Sequence, residues 1–419
     1  MDSLFRRVLL SSAILALAKQ SIAVNANYAL EAGVNHSDNI RQTETNQLKD
    51  TVALLRGELN VTDESSTNDF VLGVNLEYLD YKDDTFEDQT NANLNLVSNW
   101  GLIENALTWD INGYYGQQAI DAFAVATPDN LQDTGFLSTG PNVIIHFTDL
   151  DSLTLGYRYN DFYAEQTLAD YRSDLFKIAL IRRLSDSVSL SLNSSYEDLS
   201  YDFAGNNDFS DLRYSIKLSR DSVATQYSLE AGNIIINFED DTEIKNKLLR
   251  GTLRRQINTN NSISIDLSET VDNGAAAVEG SAIPTFVTND LFVNQAAQLT
   301  YNYSRTDFQF SLGYTYSDQD YVDPASLLDQ KVKGGIFDIA YGRPSNINYR
   351  LHIFKLDTDF YVTGQQNTET TITLTAEKRL SRNLNLIGSY ENFVRESNVQ
   401  AQDIEENTVM LSLRYQSRI

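Results

Sequence analysis

Three histidines, His36, His146 and His352, are the only imidazoles in 419 residues, and cysteine is absent. A metal centre or general base built on them would need local partners, such as the HExxH spacing of a helical zinc site, and the chain has no such pattern. It also lacks a GxSxG elbow, a phosphate-binding loop and a glycine-rich dinucleotide turn. Without cysteine there is no disulfide, thiolate ligand or thiol nucleophile, although the redox compartment stays open. The histidines read as rim or structural polar residues, with His352 two positions from Arg350. The expectation is a protein that is no enzyme and needs neither cofactor nor metal.

The residues with physical work to do are charges that alternate with apolar neighbours. Glu77, Asp110, Arg158, Glu197, Arg213, Glu230, Arg250, Arg254, Asp266, Arg350, Glu377 and Arg414 all fall out of phase with the apolar positions around them, as do Lys217 and Glu391. On a lipid-facing surface an arginine or lysine costs about 2–4 kcal/mol at the bilayer midplane. These twelve are therefore expected to face a lumen. A mixed-charge lumen would be hydrated and would set the local field for a solute passing through it.

Such charges need strands to position them. In Phe70 to Tyr78 one face reads Phe70, Leu72, Val74, Leu76, Tyr78, and the other carries Gly73, Asn75 and Glu77. The same alternation runs through Leu107, Trp109, Ile111, Gly113, Tyr115, through Phe308 to Tyr316, and through Val409, Leu411, Leu413, Tyr415. A period of two specifies half-polar strands, and no helical stripe competes with it. Twenty such segments can be traced. Those near 28–36, 137–147 and 262–269 alternate weakly, so the count is 18 to 20. About ten residues per strand suits a tilted membrane-spanning strand.

The links alternate too. Short turns rich in Asp, Asn and Ser fall near 148–151, 185–187, 220–222, 258–261, 305–307 and 381–383, where side chains can bond to local backbone. Longer polar links lie between them, near 38–50, 80–90, 118–135, 161–170, 199–209, 270–288, 317–330, 357–368 and 394–406. Short periplasmic turns and long extracellular loops describe a single all-β, antiparallel transmembrane barrel. An even strand number puts both termini on one side and lets the first and last strands close the sheet. Closure removes the unpaired edge groups that hydrocarbon cannot satisfy.

The barrel is expected over residues 27–419. Before it, Arg6 and Arg7 precede the largely apolar Val8 to Ala18, and Ser21-Ile22-Ala23 or Val24-Asn25-Ala26 suits a cleavage site. Residues 1–26 read as a secretory signal peptide. The formal charge is 32 minus 58, or −26, and the mature chain is more acidic still. No basic run offsets it, so nucleic acid is excluded as a partner.

Charge is also uneven along the barrel axis. Arg182, Arg183, Arg220, Arg254, Arg255, Arg305 and Arg382 stand beside short turns, whereas Asp80, Asp83, Asp84, Glu87 and Asp88 fill one long link. The acidic rim either repels anions and favours cations or merely solvates the loops; its spacing does not match an EF-hand. Tyr78, Trp100, Trp109, Tyr115, Tyr157, Tyr159, Tyr196, Tyr314, Tyr316, Tyr390 and Tyr415 have outward parity and suit interfacial girdles. A sugar-binding aromatic track would need several rings on the other face, where parity places Tyr114 and Phe354.

The segment Ala32-Gly33-Val34-Asn35-His36-Ser37-Asp38-Asn39-Ile40 resembles the early strand of the outer-membrane β-barrel porins associated with bacterial exopolysaccharide systems. That resemblance implies a Gram-negative outer membrane, lipid and lipopolysaccharide as neighbours, the outer-membrane assembly machinery as a partner, and assistance to polysaccharide export. It supplies no catalytic residues. The final segment, Val409 to Ile419, resembles an assembly signal but ends in Ile419 in place of an aromatic residue. The reading is a porin-like channel for small hydrophilic solutes, with a closed structural or surface-interaction barrel as the alternative. Oligomeric state stays open, because lipid-facing and subunit-facing strands share one signature.

Overall fold

The computed structural model describes residues 25–65, 67–203, 208–273, 288–342, 347–400 and 402–418. The segment read as a signal peptide lies outside these residues up to position 24. Twenty strands follow in chain order: β1 (Asn25–Ser37), β2 (Asp50–Glu64), β3 (Asn68–Tyr81), β4 (Gln89–Ile103), β5 (Leu107–Ala119), β6 (Leu131–His146), β7 (Asp151–Ala164), β8 (Tyr171–Arg183), β9 (Val188–Tyr201), β10 (Phe209–Arg220), β11 (Thr225–Phe238), β12 (Glu243–Asn258), β13 (Asn261–Asp272), β14 (Phe292–Arg305), β15 (Phe308–Tyr321), β16 (Gln330–Tyr341), β17 (Ile347–Phe360), β18 (Gln366–Arg379), β19 (Leu384–Ser397) and β20 (Ile404–Arg418). Each pairs antiparallel with its neighbours in sequence, and β1 pairs with β20, so the sheet closes on itself. The count is 20, with the three weakly alternating segments present as β1, β6 and β13.

Register is what carries parity around the ring. The ladders shift only near Gly101/Ile103 and Gln256/Asn258, both beside turns. Elsewhere an apolar residue on one strand stands opposite an apolar residue on the next, as in Leu30↔Gly57, Leu55↔Tyr78 and Leu218↔Leu229. The resulting outer face leaves Leu30, Leu55, Leu76, Phe176, Leu312 and Leu411 exposed. So much exposed apolar surface would be a liability in water and is the surface hydrocarbon requires. The chain is a single closed transmembrane barrel, and this form places it in the outer membrane of a Gram-negative bacterium.

Turn chemistry follows composition. At the β6–β7 turn the backbone N–H of Phe147 donates to Asp151 O at 2.9 Å. The Thr148 hydroxyl oxygen accepts from the N–H of Leu150 and of Asp151 at 3.1 and 3.0 Å. At the two-residue β12–β13 link, Asn258 Oδ1 accepts from the Asn260 N–H at 2.9 Å. These side chains replace partners that the ladder cannot reach.

Most strands outrun their sequence-based limits at the extracellular end. β7 extends to Ala164 and β15 to Tyr321, whereas alternation points to ends near 160 and 317. Past the outer apolar band the apolar phase changes face, as where Phe162 and Ala164 of β7 are buried on the parity of Arg158, so the alternation read from sequence breaks off while pairing continues. The β11–β12 link, residues 239–242, is the shortest of the outer connections, with Asp241 at φ 65°, and the β17–β18 link, residues 361–365, is next.

Candidate functional site

All twelve charged residues singled out above stand on one face of the sheet, opposite the apolar outer band. The ladders link them in rows: Arg56↔Glu77 on β2–β3, Lys217↔Glu230 on β10–β11, Glu230↔Arg250 on β11–β12, and Arg414↔Glu31 on β20–β1. Strand alternation then carries each side chain to the same side.

The residues form clusters. At the closing seam Glu31, only 4% exposed, lies 3.7 Å from Arg56 and 3.8 Å from Arg414. Arg56 also pairs with Glu77, Arg414 pairs with Glu58, and the Ser412 hydroxyl donates to Glu31 at 2.6 Å. A second cluster centres on Arg158. Its guanidinium pairs with Asp110 and donates to Asn142 Oδ1 at 2.9 Å. It also donates to three carbonyls, Gly140 at 3.2 Å, Pro141 at 3.1 Å and Tyr157 at 2.7 Å.

Further round the barrel Arg213 pairs with Asp211 at 2.6 Å, and Glu197 accepts from Ser173 at 2.5 Å and Asn160 at 3.2 Å. Glu230 accepts from Ser215 at 2.5 Å, and Arg254 lies 3.3 Å from Asp266. Arg250 lines the same cavity as Arg158 and Arg213. Arg350 and Glu377 are not brought to an opposite charge among the described residues. The histidines stay apart: His36 meets Thr51 at 3.0 Å, His352 meets Asp338 at 2.8 Å, and His146 ends β6. Among the described residues no group of three His, Asp or Glu side chains is placed to hold a metal ion.

Two outer connections reach far from their own strands. The β5–β6 link brings Phe123 to β17 and β19, and β19 lies six strands from β5 by way of the seam. The carbonyl of Phe123 accepts from Arg395 Nη2 at 2.7 Å and Gln365 Nε2 at 3.1 Å, and its ring packs on Phe360 at 4.6 Å. Arg395 is 2% exposed and Phe360 1%. On the β13–β14 link, the Asn289 carbonyl accepts from the Tyr201 hydroxyl of β9 at 2.8 Å. Leu291 joins the buried cluster of Phe162, Tyr171, Phe209 and Ile236. Burial next to Asp323 pushes the Asp290 carboxyl above its ordinary range.

Parity pointed to two aromatics on the polar face, and the structure adds a row of them. Tyr114, Phe136, Phe162, Tyr171 and Tyr201 are direct cross-strand partners from β5 to β9. Phe162 stacks on Tyr171 at 5.4 Å, and Tyr171 meets Tyr201 edge-on at 5.9 Å. Most of these rings lie where alternation had faded into expected loops. The surviving signal was the phase of Tyr114 and Phe136 continued across polar residues.

No family model matches this chain, and no curated protein matches it in sequence, so the resemblance to exopolysaccharide-associated porins reaches no further than the barrel. Among solved structures it is similar to the FrpB iron transporter from Neisseria meningitidis, at 8% identity and a TM-score of 0.48, covering 96% of this chain and 84% of that one. It is also similar to the siderophore receptor PirA from Pseudomonas aeruginosa, at 10% identity and a TM-score of 0.44, covering 95% and 81%. A mutant of the ferric enterobactin receptor PfeA from the same organism matches at 12% identity and a TM-score of 0.47, covering 95% and 81%. At such scores these likenesses carry no inference about what this chain binds or moves.

Proposed function

We propose that the chain is a channel for small hydrophilic solutes, moving them passively or with facilitation, its charged face lining a hydrated lumen. The observation that carries this reading is the unbroken parity of that face. Twelve charged residues and their polar partners sit opposite the apolar band, and side chains of β5 to β13 converge on one cavity. A barrel of this strand number encloses more space than its own side chains fill. Assistance to exopolysaccharide export is the narrower role that the sequence resemblance suggests.

The tie between Phe123 and Arg395 favours a second reading, in which the interior is closed and the barrel serves as a scaffold. Both readings are separable by planar-bilayer conductance of the refolded protein. The channel reading expects stable current, larger in both of two variants: Arg395→Ala removes a charge-assisted hydrogen bond of about 1.5–3 kcal/mol to the Phe123 carbonyl, and Phe123→Ala removes the ring packed on Phe360. Folded, inserted barrels that pass no current in either variant would sink it.

A further inference from the structure

A cavity of ≈ 480 Å³ opens on the polar face of β5 to β13, within the ~300–1,000 Å³ usual for small-ligand sites. Two rows of side chains run side by side across its wall. One is aromatic, Tyr114–Phe136–Phe162–Tyr171. The other, two residues along each strand, is amide and hydroxyl: Asn112–Ser138–Asn160–Ser173. Phe136 and Tyr171 of the first row and Asn112, Ser138 and Asn160 of the second line the cavity.

Its charges balance although the chain is strongly acidic. Asp110, Glu197, Asp211 and Asp272 stand against Arg158, Lys177, Arg213 and Arg250, four of each. Two couples, Arg158–Asp110 and Arg213–Asp211, are already closed on each other. An anion or cation therefore gains little net field there. A neutral ligand with an apolar C–H face and a rim of hydroxyls fits both rows at once, since ring faces take the former and amides both donate to and accept from the latter.

We propose that this cavity is a binding site for a neutral saccharide of about one or two rings, seated against Phe136 with its hydroxyls toward Asn112, Ser138 and Asn160. The site would favour sugars among the solutes passing through, so it deepens the channel reading and rests on it. Its test does not depend on current.

Saturation-transfer NMR and calorimetry on the refolded full-length barrel in detergent would use glucose and maltose, with glucuronate and glucosamine as charged counterparts. Binding of a neutral sugar, weakened about fivefold to tenfold by Phe136→Leu, is expected; that is the scale of a lost ring contact. The leucine keeps an apolar side chain, and retention of the folded, heat-modifiable band on gels controls for folding. Asn112→Ala, at a side chain with no partner among the described residues, should weaken binding as well. Equal affinity in Phe136→Leu, tighter binding of glucuronate or glucosamine, or no binding of either neutral sugar would each overturn the proposal. Current without sugar binding would sink this site and leave the channel standing.

Discussion

Arg158 Nη1 donates to the carbonyl of Pro141 at 3.1 Å, across the one stretch of the β6–β7 ladder where register pairs are missing. Proline has no N–H to offer the neighbouring strand. The pairs on either side, Thr139↔Tyr159 and Asn142↔Gly156, keep the same register, so the strands do not slip. The carbonyls of Gly140, Pro141 and Tyr157 instead turn to one guanidinium. Gly140 is required at this spot, because a Cβ would come within 2.0 Å of Tyr157 O.

Arg158→Ala should therefore destabilise the barrel by about 3–5 kcal/mol, the scale for stripping one partner from a buried ion pair. Arg158→Lys should fall between, since one ammonium cannot span three carbonyls, Asp110 and Asn142 together. Urea unfolding in micelles, followed by tryptophan fluorescence, measures both. A wild-type midpoint for the alanine variant would show that the ladder gap needs no patch.

At the seam, Arg414→Glu would put a carboxylate beside Glu31 and Glu58. We expect a loss of about 2–4 kcal/mol and less barrel surviving unheated on denaturing gels. Adding Glu58→Arg should return roughly half of that loss, because the pair is restored with its sign reversed. A double variant no better than the single would mean that the two side chains act independently.

The Asp290 carboxyl is raised from its ordinary 3.8 by burial and by Asp323. An acid whose folded pKa exceeds its unfolded one weakens the fold when ionised. That penalty is full above the folded pKa and fades as pH falls through it. Acidification below neutrality should then hold the β13–β14 link more firmly, where Val322 N–H donates to Leu291 O at 2.8 Å. Hydrogen exchange of these amides against pH gives the readout, and Asp290→Asn should flatten the profile at its low-pH level.

β1 already includes Asn25 and Ala26, paired with Thr62 and Val61, and Ala26 packs against the cluster of Val61, Phe70 and Leu72. Cleavage after Ala26 would remove both from the ladder, whereas cleavage after Ala23 keeps them. Intact-mass analysis of exported protein should find Val24 at the N-terminus. A chain starting at Asn27 would contradict this.

Local periodicity reveals strands well because each strand solves the same two-sided problem. Leu76 and Glu77 need opposite faces whatever the rest of the chain does, and with register shifts only beside turns nothing turns that phase over. The start of β6 at Leu131 was hidden because Gln132, Thr134 and Gly135 carry no apolar phase. The Phe123–Arg395 tie was hidden for another reason. It joins residues 272 positions apart, and no spacing rule reaches that far. The aromatic row had the same obscurity, since each ring's neighbour lies on another strand and only register reveals the line.

The seam bond between Ser412 and Glu31 joins positions 381 apart, so nearly the entire chain must be laid down before its two ends can meet. Closing so long a loop has an entropic penalty that nearby hairpins avoid. Nineteen hairpin contacts can form as the chain arrives, and the twentieth waits. Until it forms, β1 and β20 are two bare edges of a curved sheet, able to pair with any strand brought alongside. The order of assembly is thereby written into the topology: the ionic seam is the last part to be made, and a factor that held those two edges apart would control when the barrel becomes a barrel.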